Sequence, residues 1–304
     1  MSRYVALSFL FTTYFMHAIS HVSFDTGLRT VDHPDAINRS FSFMGIDGHA
    51  LYSFFKQLYQ QNMLQLRTPG ITLKIPKIIH QIWLGSPVPE VYGAYMQSWR
   101  DKHPGWEYFL WTDETVKTVL PLYNQEFYDA AENYGTKSDI LRWELLYRFG
   151  GLYADMDHEC LNPVDELHYV FDFYTGIQPL DAIFLQLGAA LVGSIPGHPI
   201  LKHCIETVKD DWHLQGAPKK TGPVHFTRSF YACAGRGTCD VALPPFYVYP
   251  LGSTEKATEE SYQRWIRQGS YAIHWWSKSW MPKKYRPARF RVIDNEKSAE
   301  SWND

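Results

Sequence analysis

Residues 136–157 read TKSDILRWELLYRFGGLYADMD, and no other stretch constrains the fold of this chain as tightly. Thr136 to Phe149 carries apolar residues at helical spacing, with Thr136 or Ser138 placed to cap its start and Gly150-Gly151 to end it. Leu152-Tyr153-Ala154 then enters a strand whose far end is Asp155-Met156-Asp157. Upstream, IPKIIHQIWLG (Ile75 to Gly85) is apolar on both parities and ends in Gly, as a strand covered on both faces does. Pro89 to Lys102 sets Tyr92, Tyr95, Met96 and Trp99 at helical spacing, and WEYFLWT (Trp106 to Thr112) is a second aromatic-rich strand, so one β-α-β unit is expected. Asp113-Glu114 starts further helices through about Tyr134, and His198 to Trp212 and Glu259 to Arg267 are the clearer later ones. Without an internal repeat or a linker, residues 75–290 read as one α/β domain, followed by a polar tail over 291–304.

Ahead of that domain, Tyr4 to Ile19 is uncharged behind Arg3, and Ala18-Ile19-Ser20 has the small-x-small form of a cleavage site. Residues 1–20 therefore read as a signal peptide or a short signal anchor, shorter than the roughly 20 apolar residues that span a bilayer comfortably. Residues 21–74 read as a stem plus a helix, Leu51 to Leu66, that packs on the domain behind it. Asn38-Arg39-Ser40 is an N-glycosylation sequon, informative in a eukaryotic secretory pathway. Lys+Arg at 29 against Asp+Glu at 32 leaves a net charge of -3, which argues against a nucleic-acid partner. Aromatic residues make up 16% of the chain, and such rings are the usual platforms for sugars and bases. Of Cys160, Cys204, Cys233 and Cys239, only the last two are close enough in sequence, across two glycines, to close a small disulfide loop in an oxidising compartment.

Asp155-Met156-Asp157 stands at the end of an apolar strand, where ligands gather in α/β sheets. Two carboxylates from one solvent-facing loop are hard oxygen ligands suited to Mg²⁺ or Mn²⁺, and such an ion keeps sites for the oxygens of a diphosphate. A solvated acidic turn explains the triplet equally well on local grounds. Asp139 and Arg142 are spaced i, i+3 on one face of the helix, which by itself also describes a surface ion pair. Trp83 closes its strand beside Gly85, where a flat base would stack on it, although a core Trp is the ordinary reading. His274 follows the short apolar strand Tyr271-Ala272-Ile273 and precedes an aromatic run, placing its imidazole at the mouth of a site as metal ligand or phosphate partner; a structural His is the alternative.

IPKIIHQIWLG, WEYFLWTDE (Trp106 to Glu114), KSDILRWELLYRFGGLYADMDHE (Lys137 to Glu159), PGHP (Pro196 to Pro199), TGP (Thr221 to Pro223) and HWWSKSW (His274 to Trp280) together resemble the sugar-binding, DXD-containing glycosyltransferases of family 32. That family includes initiating α-1,6-mannosyltransferases and inositolphosphoceramide mannosyltransferases. The resemblance implies a GT-A-type, Rossmann-like nucleotide-binding domain with a mixed central sheet and added helices. It also implies a UDP- or GDP-linked hexose donor, a divalent metal (Mn²⁺ or Mg²⁺), a glycan, lipid or protein acceptor, and transfer with retention. Carried over residue by residue, Trp83 would stack on the base, and Asp139 and Arg142 would hold donor-sugar hydroxyls. Asp155 and Asp157 would hold ribose, diphosphate and metal, His274 would join them, and Trp280 would close the pocket. Upstream of PGHP, Ala189 stands about where relatives often carry an Asn, so one contact to the donor sugar is expected to differ. A secretory signal on such an enzyme points to the Golgi lumen or another secretory membrane in a eukaryote, and to a membrane-associated or secreted protein in a bacterium. The competing reading is a sugar- or nucleotide-binding protein on the same scaffold that performs no transfer.

Overall fold

The computed structural model describes residues 22–39, 44–67, 70, 72–182, 184–277 and 279. The N-terminal apolar segment, the third sequon residue, Trp280 and the polar tail lie outside the described residues. Eight strands are present among them: β1 (Ile78–Ile82), β2 (Glu107–Trp111), β3 (Gly151–Ala154), β4 (His158–Cys160), β5 (Phe173–Ile177), β6 (Leu187–Ser194), β7 (Asp240–Leu243) and β8 (Ala272–His274). Six form one sheet in the order β2-β1-β3-β6-β5-β7, while β4 and β8 make a separate antiparallel ribbon. β1 is parallel to β2 and β3, β5 is parallel to β7, and β6 alone runs against its neighbours β3 and β5. The result is the mixed α/β sheet expected of a GT-A-type domain, with the carboxyl ends of five strands at one edge.

The helix expected over residues 136–149 begins slightly earlier, at Tyr134, because Asn133 is its cap: its side chain accepts from the Thr136 N–H, and neither Thr136 nor Ser138 does that work. The helix ends as expected at Gly150, where φ is +64°, and Gly151 follows at +95°. A Cβ on Gly151 would lie 2.6 Å from the Ile78 carbonyl oxygen, so only glycine lets β3 turn this closely onto β1. Leu141, Leu145 and Leu146 are buried, each worth roughly 1.5–3 kcal/mol. Trp143 stacks on Phe226 at 4.8 Å. β6 is buried at every residue, which a strand in the middle of a covered sheet requires of its side chains. The helix Gly48–Asn62 buries Leu51, Phe55, Leu58 and Tyr59, with Phe55 against Phe230 and the Tyr59 hydroxyl bonded to that of Tyr247. All four cysteines are free thiols, so the loop between Cys233 and Cys239 is closed by hydrogen bonds to Asp240 and Asp172 instead of a disulfide.

Three buried histidines are locked as neutral tautomers. One ring nitrogen of each donates to a backbone carbonyl (His80 to Gly150, His103 to Trp99, His168 to Ile75), leaving the other to accept from the Trp111 indole, the Val164 N–H and the Tyr174 hydroxyl. Burial pushes His80 down to about 4 and His168 down to about 3, and lowers His103 as well. Below the unperturbed value near 6.5 the unfolded chain therefore binds protons that the folded chain refuses, and stability falls at roughly 1.4 kcal/mol per pH unit for each such histidine. Asp139 works in the opposite direction, because burial pushes its carboxyl up to about 6, but it offsets only one of the three. Denaturant titrations are expected to show a loss on the order of 4 kcal/mol between pH 7 and 5. A flat profile would show that these imidazoles accept protons in place.

Candidate active site

The loop after β3 and the end of β8 meet at the carboxyl edge of the sheet. Asp155, Asp157 and His274 each offer a ligand atom there, and those atoms lie within 4.8 Å of one another. His274 Nε2 is 3.1 Å from Asp157 Oδ1, and the Ser277 N–H donates to Asp157 Oδ2 at 2.7 Å. The Trp275 N–H adds a bond to the Asp157 carbonyl at 2.9 Å, so the segment after β8 is stitched to the loop after β3 at three points. Asp157 is 7% exposed. The expectation of two carboxylates on a solvent-facing loop is therefore wrong for this residue, because the aromatic segment Trp275–Ser277 covers it. Burial alone would raise its carboxyl, but His274 and Ser277 outweigh burial and hold it well below the usual carboxylate range. Burial likewise works against a charged His274, and the Asp157 carboxylate reverses this and raises its pKa. His274 is the last residue of β8, not the residue after it, and pairs across the ribbon with His158.

Asp155 is the more open carboxylate. Its Oδ1 accepts from the Tyr153 hydroxyl at 2.5 Å and faces Arg142 Nη1 at 3.2 Å. Tyr153 and Asp155 share a face because they are two residues apart on an extended strand. Arg142 is buried, and it also reaches Asp139 Oδ1 at 3.1 Å and the Ala189 carbonyl at 2.5 Å. The surface ion-pair alternative for Asp139 and Arg142 is thus excluded. Burial disfavours the charged guanidinium, but Tyr153, Asp155 and Asp139 around it prevail and raise its pKa. At Ala189, where the sequence is read as departing from the family pattern, the backbone carbonyl accepts from Arg142.

Thr221, in TGP, is the positioning residue that sequence reasoning quoted without a role. Its hydroxyl donates to Asp139 Oδ2 at 3.0 Å and its carbonyl accepts from the Trp143 indole at 2.9 Å. A Cβ on Gly222 would stand 3.0 Å from Asp139 Oδ2, which gives the glycine of that triplet its reason. Ser277 and Tyr249 were also missed. Ser277 acts through its backbone N–H, which no residue pattern signals. Tyr249 is distant in sequence and lies edge-on to His274 at 5.6 Å.

Trp83 is half-buried at the carboxyl end of β1, its ring 4.9 Å from that of Tyr92 and its indole N–H on Ser86. Tyr92 in turn donates to the Ser277 hydroxyl at 3.3 Å, so Trp83 is linked to the acidic centre through two residues. Glu159 and Asp181, carboxylates near the motifs, are otherwise engaged: Glu159 accepts from Tyr262 and Trp275, and Asp181 from the Ser253 and Thr254 amides. Trp280 lies outside the described residues. No helix among the described residues is long and apolar enough to cross a membrane.

Residues 89–172 match the glycosyltransferase sugar-binding region containing the DXD motif, a segment that includes Asp139, Arg142, Asp155 and Asp157 but not Trp83, Thr221 or His274. The chain is 33% identical over 139 residues to inositol phosphoceramide mannosyltransferase 2 of Schizosaccharomyces pombe, covering 44% of this chain and 39% of that protein. To the initiation-specific alpha-1,6-mannosyltransferase of Candida albicans it is 27% identical over 179 residues, covering 52% of this chain and 46% of that protein. The chain thus spans less than half the length of either relative. Among solved structures, the PaToxG glycosyltransferase aligns at 17% identity and a TM-score of 0.48, over 64% of this chain and 79% of that one. With both DXD aspartates in place, residues 89–172 are similar to the sugar-binding region of the DXD-containing glycosyltransferases.

Proposed function

We propose that this protein transfers a hexose from a UDP- or GDP-linked donor to a glycan, lipid or protein acceptor, with a divalent metal and with retention of configuration. The observation that carries this reading is the convergence of Asp155, Asp157 and His274 at the carboxyl edge of the sheet, joined to the buried Asp139–Arg142 pair through the Arg142–Asp155 contact. The donor set fits a metal: two carboxylates and an imidazole suit Mn²⁺, and the buried Nδ1 of His274 has no hydrogen-bond partner. Asp157, Asp155 and His274 would hold the ion, which when bound neutralises charge on a departing nucleoside diphosphate.

Asp139 and Arg142 orient the donor sugar through its hydroxyls, and Trp83 supports the base. The acceptor hydroxyl oxygen bonds to the anomeric carbon as the bond from that carbon to the diphosphate oxygen breaks. The electron pair leaves on the diphosphate, and the hydroxyl proton passes to the departing oxygen. Among the described residues no carboxylate is singled out as a separate nucleophile, which is compatible with attack on the face the leaving group vacates. The apolar N-terminal segment supports placement on the lumenal side of a secretory membrane.

Incubation with a panel of nucleotide sugars, with and without Mn²⁺, is expected to release nucleoside diphosphate only with metal and a cognate donor. Saturable donor binding without release would establish the non-catalytic alternative. Trp83→Ala should raise donor KM more than it lowers kcat, since base stacking is made equally in the ground and transition states. A melt lowered by roughly 10 °C with normal donor KM would instead assign Trp83 to the packing around Tyr92.

A further inference from the structure

Each of the three histidines locked as neutral tautomers faces one acceptor and one donor. His225 is surrounded differently. It is 1% exposed, with Nδ1 2.7 Å from Asp211 Oδ2 and Nε2 2.9 Å from the Cys204 carbonyl oxygen. Both neighbours are acceptors. The same Asp211 oxygen also takes an N–H of Arg228 at 2.6 Å, so this carboxylate is ionised and has no proton to offer the ring. A neutral imidazole has one N–H and would turn a lone pair toward one of these oxygens, whereas a ring protonated on both nitrogens satisfies both. His225 stands in the first turn of the helix Pro223–Cys233, where the helix dipole disfavours a cation. The charge is therefore held by Asp211 and the Cys204 carbonyl.

This cluster borders Asp139. Arg228 also donates to the Lys219 carbonyl at 3.1 Å, two residues ahead of Thr221, and the Thr221 and Gly222 N–H groups both bond the Ala217 carbonyl. The turn that presents the Thr221 hydroxyl to Asp139 is thus tied on one side to Arg228 and Asp211, and on the other it opens the helix that carries His225. Charge reaches Asp139 as well: burial raises its carboxyl, and Arg142 and His225 are the cations that oppose burial. The other groups facing His225 are Asp211 and His203 from the helix Pro199–Asp211 and Arg228 from its own helix, while β6 carries no charged side chain. Asp139 is faced in addition by the Thr221 hydroxyl and Asp155.

We propose that His225, protonated on both ring nitrogens and held by Asp211, is a positioning residue for donor binding: it fixes the Thr221–Pro223 turn over Asp139 and adds to Arg142 a second buried cation that keeps Asp139 ionised. The link to the donor rests on the transferase reading; the double protonation stands on the two acceptors alone.

The isotopically labelled histidine ring nitrogens of the full chain, read by NMR at neutral pH, test the protonation. The His225 signals are assigned by their loss in His225→Gln, or in His225→Lys should the glutamine variant not fold. Two protonated nitrogens at His225, beside the neutral patterns of His80, His103 and His168, are expected; one protonated and one bare nitrogen overturns the proposal. Donor KM is then followed against pH. Protonating Asp139 removes an acceptor from the donor, so KM rises as pH falls through the Asp139 pKa. Without the His225 cation that rise should begin on the order of one pH unit higher in His225→Gln, with kcat at saturating donor changed less, and His225→Lys should return it toward the wild-type position. Variants that melt lower but keep the wild-type pH dependence of KM overturn the positioning role while the transferase reading stands. Failure of the wild type to release nucleoside diphosphate from any donor overturns the transferase reading and the positioning role with it, and leaves the double protonation to be decided by the NMR result.

Discussion

Asp157→Ala is expected to abolish transfer, and Asp155→Ala to weaken it severely, because the departing diphosphate loses charge stabilisation worth several kcal/mol. The two substitutions should differ in what they do to the fold. Asp155 is partly open, and its partner Arg142 keeps Asp139. Asp157 is buried and ties Ser277 and His274 to the loop after β3, so its removal strands a buried N–H and an imidazole at a cost of about 1–3 kcal/mol each. Asp157→Asn keeps the shape of the carboxylate and one acceptor, and it should melt closer to the wild type while remaining inactive. Nucleoside diphosphate release with added Mn²⁺, together with melting curves of the three variants, checks both statements. Full activity of Asp157→Ala in the presence of chelator would remove the metal from the mechanism.

Arg142→Met should be the most damaging single change to stability within the site. The guanidinium lies between Asp139 and Asp155, and truncating it leaves a buried carboxylate that keeps the Thr221 hydroxyl as its hydrogen-bond donor among the described residues. Breaking a buried pair in this way costs about 3–5 kcal/mol, which for a chain of this size lowers the melt by roughly 10 °C. Asp139 already sits up at about 6 with Arg142 present, and losing the cation raises it further. A carboxyl whose folded pKa lies above its unfolded value regains stability as pH falls through the folded value, so the variant should recover part of its melt between pH 8 and 6, relative to the wild type. Adding Asp139→Asn should restore stability without activity, since the amide needs no counter-charge yet cannot replace the pair proposed to hold the donor sugar. An Arg142→Met protein with an unchanged melt and unchanged donor KM would show that the pair is neither structural nor donor-binding.

The two predictions concern one connected arrangement. Trp83 touches Tyr92, Tyr92 bonds Ser277, Ser277 caps Asp157, and Asp157 pairs with His274; on the other side Asp155 leads through Arg142 to Asp139 and Thr221.

The sequence alone determined whatever depends on short-range periodicity and backbone chemistry. The helix ending at Gly150, the strand that follows it, the β-α-β unit from Ile78 to Trp111 and the i, i+3 pairing of Asp139 with Arg142 were all legible, because helix and strand spacing place neighbours a few residues apart without help from the rest of the chain. The N-cap was misassigned by three to five residues, as Asn133, Thr136 and Ser138 all have capping chemistry and the winner is set by where the chain enters the helix. Only the tertiary structure decided that Asp157 is covered, that His274 reaches it across more than a hundred residues, and that Thr221 holds Asp139. Those contacts depend on β4 pairing with β8 and on TGP returning over the helix Tyr134–Phe149, and long-range pairing leaves no periodic trace in a single sequence. Burial was the property least legible beforehand, since whether a carboxylate faces water is set by the segment folded over it, here Trp275–Ser277, and not by the loop that carries it.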